Sequence, residues 1–168
     1  MKMTEYFLAQ LDREAALTRK AVERVPEGHN HFRPHEKSME LGYLAALVAS
    51  MPGWIALMIE RDELDLADPS SAGFRPKQAG SKDELVASLE KAVASARRAL
   101  ESTSDEHLLT EWGFKAGGNY VQKLPRHLMI ADAVFSHLAH HRGQLTVYLR
   151  LNASAVPALY GPSADERF

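Results

Sequence analysis

Apolar side chains recur every three or four residues along almost all of this chain. That spacing restricts it to helices that each pack through one face. Phe7, Leu11, Thr18, Val22 and Val25 line one face of a first helix, which Pro26 and Gly28 stop. Ser38 is placed to cap a second, in which Leu44, Leu47, Met51, Ile55 and Met58 form a continuous stripe. Pro52 and Gly53 lie inside that stripe. Proline supplies no N–H to the helical ladder, so a kink is expected between Ala49 and Gly53. Trp54 follows directly and reads as core filling. The clearest helix is SKDELVASLEKAVASARRALES. It opens on the capping-box pair Ser81 and Glu84 and buries Leu85, Leu89, Ala92, Val93, Ala96 and Leu100. Asp105 to Leu109 add a short turn, and a last long helix runs from Pro125 to about Asn152.

The segments between these helices have different chemistry. PEGHNHFRPHEKS is a polar loop, and its His29, His31 and His35 read as solvated side chains. Residues 64–80, LDLADPSSAGFRPKQAG, are punctuated by proline, serine and glycine. They are too long for a tight turn and read as a linker making a crossover connection. In TEWGFKAGGNYVQKL, Trp112 and Phe114 alternate with small or polar residues before the turn signal Gly117-Gly118-Asn119. A short irregular or hairpin-like excursion is expected there. Residues 153–168 form a tail, since VPALYGPS cannot stay helical through two prolines. The expected fold is all-α: one domain over 1–168, a four-helix bundle with a long crossover linker between helices 2 and 3.

Composition narrows the function. A formal net charge of −2 gives no general basic surface for nucleic acid. The chain has no cysteine, so any metal must be held through nitrogen and oxygen. MKMTEYFLAQLDRE does not read as a signal peptide, and no stretch reads as a membrane span. A soluble, cytoplasmic protein is expected, with no nucleic-acid or membrane partner.

The densest chemistry is HLAHHRGQL at positions 137–145. His137 and His141 are four residues apart and stack on one helical face, which Gln144 and Tyr148 continue. Val134, Leu138, Leu145 and Leu149 lie beside that face, so the pair points into the bundle or along its seam. His140 is turned about 100° from His141 by the helical repeat and is peripheral. Two imidazoles at this spacing suit a divalent transition metal, but catalytic sites normally use a third protein ligand. Hydrogen bonding within the bundle is the competing reading. Arg142 either orients an anionic substrate or bridges to another helix, and Gly143 permits close helix approach. The chain has no G-x-S-x-G elbow and no glycine-rich phosphate loop.

HLAHHRGQLTVYLRL followed by VPALYGPSADE resembles the end of a DinB-like (DinB/YfiT) protein. FRPHEKSMELGYLAALVASMPGW, running on into ERDELDLA, resembles an earlier part of the same family. The resemblance implies a damage-inducible family of four-helix bundles, often homodimeric. Their nickel or zinc lies between helices, on one histidine from the second helix and two from the last. It also implies metal-dependent transfer or hydrolysis, in some relatives with thiols such as bacillithiol or mycothiol. The two C-terminal ligands map onto His137 and His141. The helix-2 ligand maps onto Leu47, which cannot bind metal, so the resemblance implies a degenerate site. Tyr43, Leu47, Arg142 and Gln144 would border its pocket.

Three alternatives follow. Glu40, Tyr43 or His35 completes the shell; His137 and His141 hold metal weakly with water; or the chain is a non-catalytic bundle that binds a small molecule or partner as a stress-associated dimer. In a loaded site, the metal would make a bound water or thiol nucleophilic near neutral pH.

Overall fold

The computed structural model describes residues 1–167, the side chains of residues 72 and 73 aside. The first helix, α1 (Met3–Val22), buries Phe7, Leu11, Thr18, Ala21 and Val22 along the expected stripe. Glu14 is buried on the same helix, an acidic residue the apolar pattern does not explain.

The next helix, α2 (Leu41–Ser50), starts later than a cap at Ser38 would place it. Glu40 occupies the N-cap position, while Ser38 closes a turn by donating its backbone N–H to the His35 carbonyl. The kink falls where Pro52 requires it: Met51–Gly53 form a single 3-10 turn between α2 and α3 (Trp54–Glu60). Leu41–Glu60 is, by length and composition, apolar enough to cross a membrane, which corrects the expectation that no stretch is. Most of it is buried against the rest of the fold.

The following helix, α4 (Lys82–Ser102), opens with Ser81 Oγ accepting the Glu84 N–H at 3.2 Å. The Glu84 carboxylate accepts from Gly80 N–H at 2.7 Å, so the capping box closes one residue early. This helix packs against α1, α2 and α3.

A small sheet corrects the all-α expectation. Strand β1 (Glu63–Asp65) pairs in parallel with β2 (Glu111–Ala116), which pairs antiparallel with β3 (Asn119–Pro125). The short α5 (Asp105–Leu108) precedes β2. The hairpin is the expected excursion, and Gly117 and Gly118 both have positive φ at its tip (61° and 81°). Strand β1 overlaps the start of the segment read as linker, at Leu64 and Asp65. It forms because Asp65 fastens it to the hairpin, its carboxylate accepting from the N–H groups of Gly117 and Gly118 at 3.0 and 2.6 Å. The Ala67 backbone N–H, together with these two, holds the Asp65 carboxyl below its ordinary value. Residues Pro69–Phe74 add a 3-10 segment capped by Asp68.

The last helical run is continuous but not uniform. It comprises α6 (Arg126–Met129), a π-helical stretch (Ile130–Ser136) and α7 (His137–Leu151). One core cluster joins Val22, Leu44, Leu47, Leu89, Leu138 and Leu145. A second joins Leu11, Ile55, Leu100, Trp112, Ile130 and Val134, and Trp54 and Val93 pack against both. The tail folds back over α1 and α7, where Asp165 meets Arg150 at 2.5 Å and Glu166 meets Arg24 at 3.3 Å.

Candidate functional site

The π-helical stretch immediately precedes the histidine segment. A π turn admits an extra residue, which shifts the faces beyond it relative to those before it. Past it, the His137 and His141 rings lie 4.4 Å apart, centroid to centroid. His140 is 5.0 Å from His141 and 6.4 Å from His137 but stands exposed, the peripheral position its helical phase implies. His141 is buried, and its Nδ1 lies 2.8 Å from Gln144 Oε1. A proton on Nδ1 donates to that amide oxygen and leaves Nε2 as an acceptor facing away. The His137 ring lies 5.9 Å from that of Trp54.

The groups proposed to complete a metal shell are engaged elsewhere. Leu47 is 7% exposed and shares the first core cluster with Leu138, Leu145 and Tyr148. Tyr43 stands partly in solvent. Glu40 pairs with Arg33 at 2.6 Å and His31 at 3.4 Å. His35 Nδ1 accepts the Lys37 N–H at 3.1 Å. Among the described residues, no three histidine or acidic side chains are grouped to hold a metal ion.

Arg142 takes the bridging option rather than lining a pocket. It is fully buried and reaches Glu14 of α1 at 2.5 Å and Thr18 Oγ1 at 2.8 Å. Tyr160 from the tail donates to the same Glu14 carboxylate at 2.6 Å and also contacts Arg142. Gly143 does not mediate close helix approach: a Cβ there would meet nothing within 4 Å.

A cavity of about 570 Å³ lies beside the histidines, with His137 at one edge. Its aromatic walls are Trp54 stacked on Phe74 at 4.5 Å, with Trp112 and Phe114 from β2. Met58 and Met129 add thioethers, and the π stretch contributes Asp132, Ala133 and Ser136. Trp54 therefore borders a cavity as well as filling core. The alternation of Trp112 and Phe114 was the one sequence signal for this wall, because residues two apart on a strand share a face. The cavity itself joins segments distant in sequence, and no local pattern marks it.

Burial disfavours the charged imidazole, so the pKa values of His137 and His141 lie below the usual 6.5. The unfolded chain therefore takes up protons before the folded one does. Stability from these groups is complete above 6.5 and is lost as pH falls toward the folded values. Thermal melts with chelator from about pH 7.5 to about pH 5 should fall, and fall less steeply for His137→Gln/His141→Gln. An unchanged slope in the double variant would place the acid sensitivity elsewhere.

The family model described as the DinB family matches residues 1–167. Among solved structures, the chain is similar to a DinB-like protein from Bacillus cereus, with TM-score 0.71 and 19% identity over 93% of this chain and 97% of that one. It is also similar to a DinB-like protein from Bacillus subtilis, with TM-score 0.65 and 18% identity over 96% of this chain and 98% of that one. No curated protein matches. At these identities the structural likeness speaks to the fold.

Proposed function

Because the chain belongs to the DinB family, we propose that it is a small-molecule-binding four-helix bundle in which the family's metal chemistry has lapsed. The observation that carries this reading is Leu47. The position that the resemblance gives to the helix-2 histidine holds a buried leucine, packed in one cluster with the apolar residues of α7. The remaining donors, His137 and His141, do not fit a three-ligand nickel or zinc centre, and no reaction step is derived through one. The cavity beside His137 remains. It is lined mainly by aromatic and thioether side chains, and its volume is ordinary for a small-molecule site. A homodimer in the cytoplasm is part of the same proposal, and sedimentation velocity reads its assembly state.

The closeness of the His137 and His141 rings favours one second reading: a weakly held metal whose shell is completed by water, supporting transferase or hydrolase chemistry. Metal content of untagged protein, purified without chelator, separates the two. The parent should hold far less than stoichiometric nickel or zinc. Leu47→His should become loaded, and should lose the metal again when His137→Ala/His141→Ala is added. A stoichiometrically loaded parent that the double alanine variant empties would overturn the proposal in favour of the metal enzyme.

A further inference from the structure

We propose that the cavity beside His137 receives an amphipathic organic cation, an amine carried on a flat apolar body, with its ammonium at the mouth beside Asp132. The inference rests on the small-molecule reading above and adds the ligand's chemical class.

The first support is the way the lining divides. Its most buried members are apolar in contact surface: Trp112 is 1% exposed, and Met58 and Met129 are each 2%. The half-buried rings of Trp54, Phe74 and Phe114 extend that floor outward. The exposed members are Gln122, Asp132 and Ser136, all polar, and they mark where the lining meets water. An apolar body gains by leaving water for such a floor, while a charged head at the mouth stays hydrated. A ligand polar at one end therefore suits both parts without carrying a charge into the apolar space. Trp54 and Phe74 stack with their planes 26° apart, a wall that favours flat guests.

The second support is the sign of the charge. The lining includes no lysine or arginine, and its one carboxylate is Asp132, exposed and without an ion-pair partner among the described residues. The hairpin lysines next in sequence to lining residues are engaged elsewhere, Lys115 with Glu63 at 2.7 Å and Lys123 with Glu111 at 2.8 Å. The Gln122 amide and Ser136 hydroxyl can bond a head of either sign, so they do not choose between cation and anion. Asp132 does: an ammonium meets an opposite charge at the mouth and a carboxylate meets a like one.

Three probes share a naphthalene body and differ in the head: 2-naphthylmethylamine, 2-naphthalenemethanol and 2-naphthoate. They are titrated at about pH 7.5 with chelator, where an ordinary imidazole is mostly neutral, the amine is charged and no metal recruits the acid. In the parent, the amine should bind about fivefold more tightly than the alcohol, and the acid most weakly, with the amine's advantage shrinking in salt. Asp132→Asn should bind amine and alcohol equally. Both tryptophans of the chain line the cavity, so their 15N indole resonances should shift with each bound probe. Ala133→Phe, which fills the cavity from the π stretch, should bind none. Equal amine and alcohol affinities in the parent, or a preference that survives Asp132→Asn, would overturn the ligand class and leave the small-molecule reading intact. No response to any probe, or binding that leaves both indoles unmoved, would overturn both. If Ala133→Phe does not fold, the indole shifts in the parent still locate the probe.

Discussion

Glu14→Leu destabilises the protein by about 3–5 kcal/mol and lowers its melting temperature on the order of 10 °C. The cause is the guanidinium it strands. Arg142 is 0% exposed and Glu14 2%, so neither charge can turn to water when its partner is removed. With the carboxylate gone, Arg142 keeps the Thr18 hydroxyl and the Glu14 backbone carbonyl, at 2.8 and 3.1 Å, and the Tyr160 hydroxyl, but no countercharge. Its Nε already has no acceptor among the described residues. Arg142→Met costs less than Glu14→Leu. It leaves the carboxylate with Arg13 at 3.1 Å, Gln10 at 3.3 Å and the Tyr160 hydroxyl at 2.6 Å. The double variant recovers much of the loss, since two apolar side chains fill the space with no charge to desolvate. Thermal and urea melts of the three variants test the order. A double variant as unstable as Glu14→Leu would show that the site cannot repack, and that the ionic pair is what shapes the α1–α7 contact.

Arg126→Met carries the second large effect, a loss of about 3 kcal/mol or more. This buried guanidinium donates to the carbonyls of Met58, Glu111 and Arg61 at 2.9, 2.8 and 3.2 Å, and also to the Thr110 hydroxyl. It thus ties the end of α3 and the start of β2 to the first turn of the last helix. Removing it leaves the buried Met58 carbonyl, and the partly buried ones of Glu111 and Arg61, without this donor, which costs more than the bonds themselves contribute. Its bond to Asp62 matters little. That carboxylate is 94% exposed and screened by water, and Asp62→Ala should cost no more than about 1 kcal/mol, far less than Arg126→Met. Met58 and Trp112, both cavity residues, sit beside these ties. Arg126→Met should therefore also broaden the Trp112 indole resonance, a sign of a loosened wall that a purely local loss of bonds would not produce.

The helices and their buried faces were legible because periodicity is local. The stripe from Leu44 to Met58 and the break at Pro52 follow from residues close together in sequence. Strand β1 was not legible: three residues carry no alternation, and Glu63–Asp65 becomes a strand only because β2 lies alongside. The buried Glu14 was hidden for the same reason, since its partners Arg142 and Tyr160 lie more than a hundred residues further on. The histidine pair was legible from spacing, and its companions at the cavity were not. The π stretch over Ile130–Ser136 was not legible either, since its apolar spacing reads as ordinary helix.

Two buried guanidiniums flank that stretch, Arg126 in α6 and Arg142 in α7, each locked to partners on other elements. They fix two points on one rod, and the angular phase between them is not free. A uniform α-helix turns about 100° per residue, and a π turn between the two arginines changes the angle between them. Deleting one residue from Ile130–Ser136 would restore regular pitch and misalign one anchor, together with either the cavity wall or the imidazoles. The irregular turn is thus the tolerance in an over-constrained joint, and a straighter helix would be the less stable one.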